Sequence, residues 1–282
     1  MWSDELTVAE ADFTQHAVDV LANVSWAQPL LTRFNKRGGL KSENMPLLFE
    51  IRFALELYRA GVRADYEYPT GVGDSSVDFH FKGDTEWIIE VVSVCESDAV
   101  KRATHQNGQL YQQRLSTNNA DPAQSVEAEM ITVEQKIGEK AYVRGRPTKF
   151  PVPNGAIHLI IIDMRGYLGR GRNATSRDFI PDYQQIAYGY RGIPPNLSWM
   201  VCYWDGRSGN REPIKGLFER SNPLKSAPLI QERIHFLGFV LERNYCEGEI
   251  ADVGYYLANP HLFSDDMQAR EAYESFPLKR RL

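Results

Sequence analysis

The chain has 282 residues, enough to bury a sizeable core, and its 43% hydrophobic and 24% charged composition is that of an ordinary globular protein. No run of about 18 apolar residues is present to span a bilayer, and the acidic start "MWSDELTVAEADF" has no apolar segment behind a basic patch, so a cytoplasmic protein with no membrane partner is expected. A formal net charge of −5 excludes a surface that attracts nucleic acid everywhere and leaves room only for a local basic groove.

The first predicted element is a helix from about Thr7 to Val24, opened by a Thr7-x-x-Glu10 capping box and carrying Phe13, Ala17, Val20, Leu21 and Val24 at helical spacing. Gly38 and Gly39 interrupt the chain, and a second helix runs from about Met45 to Ala60, ended by Gly61. Arg52, Glu56 and Arg59 mark its exposed face. Glu50 instead shares a row with Leu47, Ala54 and Leu57, which turns its carboxylate inward, where a partnerless acid is costly and its pKa rises. Short strands follow at about Asp65 to Tyr68, Val77 to Lys82 and Glu86 to Val94, separated by glycine-rich turns.

The polar stretch from Ser97 to Asp121 reads as a loop with one short helix, and a third helix runs from about Ser125 to Val143. "AIHLIIIDM", residues 156 to 164, is a strand buried on both faces, as at the centre of a mixed sheet. Further strands are placed at Trp199 to Trp204, Ile234 to Glu242 and Asp252 to Ala258. The whole is an α/β (α+β) chain with a central mixed sheet flanked by helices. Residues 1–40 form a helical segment packed on a domain at 41–282, which ends in a C-terminal strand extension. Cys95, Cys202 and Cys246 are odd in number, far apart and without C-x-x-C spacing, so they read as structural thiols and suggest neither disulfides nor zinc.

Two carboxylates stand out in "SSVDFHFKGDTEWIIEVVSV". Val77, Phe79 and Phe81 alternate with Asp78 and His80, and a three-residue Gly83-Asp84-Thr85 loop places Asp78 directly opposite Glu90. Directly opposed like charges repel, and a divalent cation with oxygen ligands relieves this naturally, because Mg²⁺ takes one or two protein carboxylates and keeps waters for phosphate. Glu50 on the preceding helix is a third acid that could stand beside the ion. The glycines of "DMRGYLGRGRN" fit neither a dinucleotide nor a P-loop pattern. Arg165, Arg170, Arg172 and Arg177 suit contacts to nucleic-acid phosphates instead, which contribute affinity without sequence readout. Arg144, Arg146 and Lys149, and Lys279, Arg280 and Arg281, form two further basic clusters, each read first as a solvated loop.

A helix with an inward Glu, a strand, a strand with Asp, a strand with Glu and then a helix, over about Phe49 to Asp163, resembles the PD-(D/E)XK nuclease superfamily, the restriction-endonuclease-like fold. The resemblance implies that Asp78 and Glu90 bind Mg²⁺ or Mn²⁺, that Glu50 assists, and that DNA is the partner, with a homodimer left open. It also implies a lysine two residues after the strand Glu, where this chain has Val92; Val77 stands where the motif has Pro. The superfamily is known for moving that lysine to another element. In "VEAEMITVEQKIGEKAYV" the apolar stripe is Val126, Met130, Val133, Ile137 and Ala141. Lys140 lies about 65° and Lys136 about 105° from its centre at roughly 100° per residue, which makes Lys140 the first candidate and Lys136 the second. His80 is a weaker substitute. A nuclease is thus expected, and a catalytically inactive nuclease-like module that binds nucleic acid or protein is the competing expectation, supported by Val92.

Overall fold

The capping box closes as expected in the computed structural model, which describes residues 6–94, 104–107, 110–113, 126–167, 176–189, 192–197, 199, 214–241 and 250–279. The Glu10 N–H donates to Thr7 Oγ1 and the Thr7 N–H donates to Glu10 Oε2, which satisfies two donors at the start of α1 (Val8–Leu21). A second helix, α2 (Gln28–Lys36), was not foreseen. Pro29 opens it, it buries Leu30, Leu31 and Phe34, and Gly38 and Gly39, both at positive φ, follow it.

Helix α3 (Met45–Arg59) is the central helix, and it corrects one expectation. Arg52 and Glu56 do not mark an exposed face; both are buried and form an ion pair of 3.3 Å. The short helical turn Ile250–Val253 meets this pair, with the Ile250 N–H donating to Glu56 Oε2 at 2.6 Å. Arg59 alone of the three is exposed. An i,i+4 pair of opposite charge is equally at home on a wet face and under a covering segment, so the helical pattern could not tell them apart.

Strands β1 (Asp65–Pro69), β2 (Ser76–Lys82) and β3 (Glu86–Ser93) form an antiparallel meander. β3 then pairs in parallel with β8 (Ile157–Asp163), β8 in parallel with β9 (Phe236–Val240), and β9 antiparallel with β10 (Gly254–Ala258), giving a six-stranded mixed sheet in the order β1-β2-β3-β8-β9-β10. The two C-terminal strands therefore continue the central sheet rather than extend from it. Between β3 and β8 lie the hairpin β4 (Thr104–Asn107) and β5 (Leu110–Gln113), in a stretch read as loop, then α4 (Val126–Gly138) and the hairpin β6 (Tyr142–Val143) and β7 (Arg146–Pro147). α4 stops short of the expected Val143 because the chain turns at Gly138, where the Lys140 and Ala141 amides donate to the carbonyls of Ile137 and Gly138.

The pleat sorts the sheet's side chains into two faces. Phe79 packs on Phe53 of α3, and Trp87 and Phe236 pack together and on Phe276 and Phe263, so this face is covered by α3 and the C-terminal segment. Phe239 stacks on Tyr183 of α5 (Ile180–Tyr188) at 4.7 Å, and α5 neighbours α4 on the second face. The register Glu90–Ile160–Leu237 assigns Glu90 to that second face. No helix among the described residues is long and apolar enough to cross a membrane.

Buried Glu134 on α4 supplies a pH signature. Its Oε2 accepts from Asn222, and burial, aided by Glu219, pushes the carboxyl up to about 9 against that hydrogen bond. A folded pKa above the unfolded value of 4.5 means that stability is fully present below pH 4.5 and is lost as pH rises toward 9. Glu134→Gln removes this loss. Relative to wild type the variant should gain on the order of 1 kcal/mol per pH unit between pH 6 and 7.5, measured by urea unfolding at the two values; a constant difference would reject the assignment.

Candidate functional site

The site is assembled where the β2–β3 ladder opens. The pairing runs Lys82–Glu86, Phe81–Trp87, His80–Ile88 and Phe79–Ile89, the register expected from the Gly83-Asp84-Thr85 loop, and continuing it sets Asp78 opposite Glu90. Beyond Phe79–Ile89, the Val91 N–H donates to Asp78 Oδ2 at 2.7 Å, so the carboxylate takes over a bond that the strand would otherwise make.

Glu90 is fully buried. Lys140 Nζ donates to its Oε1 at 2.7 Å, and Lys149 Nζ donates to the same oxygen at 2.5 Å. Burial first, then the Asp78 charge, push the Glu90 carboxyl up to about 7, against the pull of both ammonium groups. For Lys140, burial disfavours the charge but Glu90 outweighs it, and the amine is held above the usual lysine value. Lys140 is thus a firm cation that donates hydrogen bonds.

Glu50 points inward from α3, as its row on the helix implied, and is buried. The Tyr66 hydroxyl of β1 donates to its Oε2 at 2.6 Å, and Arg33 of α2 reaches Tyr66 Oη at 2.6 Å and Glu50 Oε2 at 3.3 Å. Burial, then Asp78, raise the Glu50 carboxyl to about 7, while Tyr66 and Arg33 restrain the rise and Glu90 adds to it. The three acids are therefore close enough to feel one another's charge, and three cations, Arg33, Lys140 and Lys149, offset them.

Several site candidates lie elsewhere. Lys136 is half exposed and pairs with Glu139 at 3.6 Å, because its position on α4 faces solvent. His80 stacks on Tyr68 and places its two ring nitrogens 3.0 Å from Asp65 and Glu86, away from Glu90. Arg165 is corrected as a phosphate contact: it is buried, and its guanidinium grips Glu10 at 2.6 and 2.9 Å. Arg170, Arg172, Arg280, Arg281, the three cysteines and the expected strand after Trp199 lie outside the described residues. Arg177 sits in a 3-10 turn, Ser176–Phe179. Val92 is buried.

Lys149, Tyr66, Arg33 and Ser75 were missed as site residues. Lys149 looked like one charge of a solvated cluster, and only the turn-back of β6 and β7 brings it home. Its N–H donates to Ser75 Oγ at 2.8 Å, just ahead of β2.

The residues fit a hard divalent cation in one respect. Glu90 Oε2 is buried with no hydrogen-bond partner among the described residues, although an orphaned buried carboxylate oxygen is costly. Among those residues no group of three or more His, Cys, Asp or Glu side chains surrounds a common point. The two-carboxylate mode of Mg²⁺, completed by water, needs only Asp78 and Glu90. Comparison with protein-family models, curated proteins and solved structures finds no match to the chain.

Proposed function

We propose that the chain is a metal-dependent nuclease that hydrolyses phosphodiester bonds in DNA on a restriction-endonuclease-like core. The observation that carries this reading is the convergence of Lys140 on Glu90, opposite Asp78, when the usual lysine position is a buried Val92. The connection of α3 through the β1-β2-β3 meander and α4 to parallel β8 also supports it. DNA contact is supported by Arg144 and Arg146, exposed on the β6–β7 turn that leads into Lys149.

In this reading a water oxygen bonds to phosphorus, the bond from phosphorus to the leaving sugar oxygen breaks with its electron pair, and that oxygen takes a proton from solvent. Lys140, held above its ordinary pKa, donates to the attacking water or to the phosphate and does not accept the water's proton. Glu50 suits proton acceptance, because a carboxyl near 7 is matched to neutral pH. Mg²⁺ or Mn²⁺ held by Asp78 and Glu90 would supply charge stabilisation at the phosphate and acidify a nearby water.

The test is conversion of supercoiled plasmid to nicked and linear forms in Mg²⁺ or Mn²⁺, with single-stranded DNA and RNA alongside and a chelator control. Metal-dependent DNA cleavage is expected. Metal-independent DNA binding with no cleavage of any substrate would favour the inactive module instead, the reading that Val92 suggests.

A further inference from the structure

Hydrolysis as described needs one lysine beside Glu90, yet two converge on it. Both donate to a single carboxylate oxygen, so their like charges lie within about 5 Å of each other while the second oxygen is orphaned. Such an arrangement is not what stability alone would select, since two mutually repelling cations would spread over two oxygens. Lys149 is also held in an uncommon backbone conformation, with φ at 59°, which a side-chain-bearing residue adopts at some cost. Its amide is pinned to Ser75 Oγ, and Ser75 in turn donates to the Val72 carbonyl at 2.5 Å. The preceding Thr148 N–H is tied to the Ala141 carbonyl, next to Lys140. The chain thus spends a strained position on placing this amine at the site, on the same loop that exposes Arg144 and Arg146.

We propose that Lys149 is a second catalytic lysine with two alternating partners: Glu90 in the ion-free protein, and a non-bridging phosphate oxygen of the substrate when a divalent cation engages Glu90. The phosphate role rests on the nuclease reading; the competition for Glu90 does not. Lys140 and Lys149 then divide the work. Lys140, fixed in the turn that follows α4, attends the attacking water, and Lys149, reached through the exposed hairpin, holds the phosphate.

Two readouts of opposite sign test this. In Lys149→Met, Mn²⁺ binding measured by calorimetry should tighten about tenfold, because a competing charge leaves the carboxylate. Cleavage at saturating Mn²⁺ should fall about a hundredfold, as when one charge-stabilising donor is removed. Tighter ion binding alone marks a charge that competes for Glu90; its pairing with slower cleavage at saturating Mn²⁺ is what a merely structural lysine would not give. Lys149→Gly supplies a second variant that accepts the positive φ, so loss of folding cannot obscure the result, and it should show the same pair of changes with an undiminished melting temperature. Ser75→Ala should move both readouts in the same directions by less. Unchanged or weaker Mn²⁺ affinity in a folded variant, or wild-type cleavage at saturating Mn²⁺, overturns the proposal. If the wild-type chain cuts no DNA while Lys149→Gly still binds Mn²⁺ more tightly, the nuclease reading and the phosphate role fall together and the competition for Glu90 is upheld.

Discussion

Glu90→Gln is expected to abolish Mn²⁺ binding and to reduce DNA cleavage by at least about a thousandfold, with the protein still folded. The amide keeps a carbonyl oxygen for an ammonium group but loses the charge that a hard cation requires, and Asp78 alone remains. Folding survives because burial already works against the charged form of Glu90, as does the facing Asp78. The pH dependence has a definite sign. A carboxyl raised to about 7 in the folded chain, against 4.5 unfolded, favours folding fully below pH 4.5, and this is lost as pH rises to 7. The variant should therefore gain on wild type by on the order of 1 kcal/mol per pH unit across that window. Calorimetry with Mn²⁺ and melts at pH 5 and 7 measure both effects; an unaltered Mn²⁺ affinity would remove Glu90 from the site.

Lys140→Ala is expected to slow cleavage by about 10² to 10³ while Mn²⁺ binding is retained or tightened. The reason is differential: the ammonium helps where charge develops in the transition state, and in the ion-free ground state it competes for Glu90. Lys136→Ala should cleave at the wild-type rate, since that side chain pairs with Glu139 at the surface. Single-turnover rates for the two variants decide the matter, and equal rates would reject a lysine supplied by the end of α4.

The hairpin register from Lys82–Glu86 to Phe79–Ile89 was legible because a two-residue pleat and a short glycine turn leave little freedom, and extending it by one residue sets Asp78 opposite Glu90. Lys140 was legible for a related reason: helical phase places it at the border of a well-marked apolar stripe, even though α4 ends before it. Lys149 was not, because its position depends on a two-stranded turn whose residues, Tyr142–Val143 and Arg146–Pro147, are too few to leave a periodic signal. Tyr66 and Arg33 were hidden in another way, since β1 was expected but its partner helix α2 was not. Arg52 and Glu56 misled because their covering segment lies about 200 residues further along the chain, beyond the reach of any local pattern. The same blindness applied to Arg165, whose partner sits in the first helix.

That last ion pair has a consequence for how the molecule is made. Glu10 and Arg165 are 155 positions apart, and their contact is buried from both sides. At a synthesis rate of about 5–20 residues per second, the first helix must wait roughly 8–30 seconds after its own emergence before its partner exists. During that interval Glu10 has only the capping box to occupy it, while the rest of the helix already has α2 and α3, its packing neighbours, made soon after it. Burial of the Glu10 carboxylate is accordingly a late event, and in a nascent chain stalled before Arg165 the start of the first helix, held only by α2 and α3, should be more open to proteases than in one stalled beyond it.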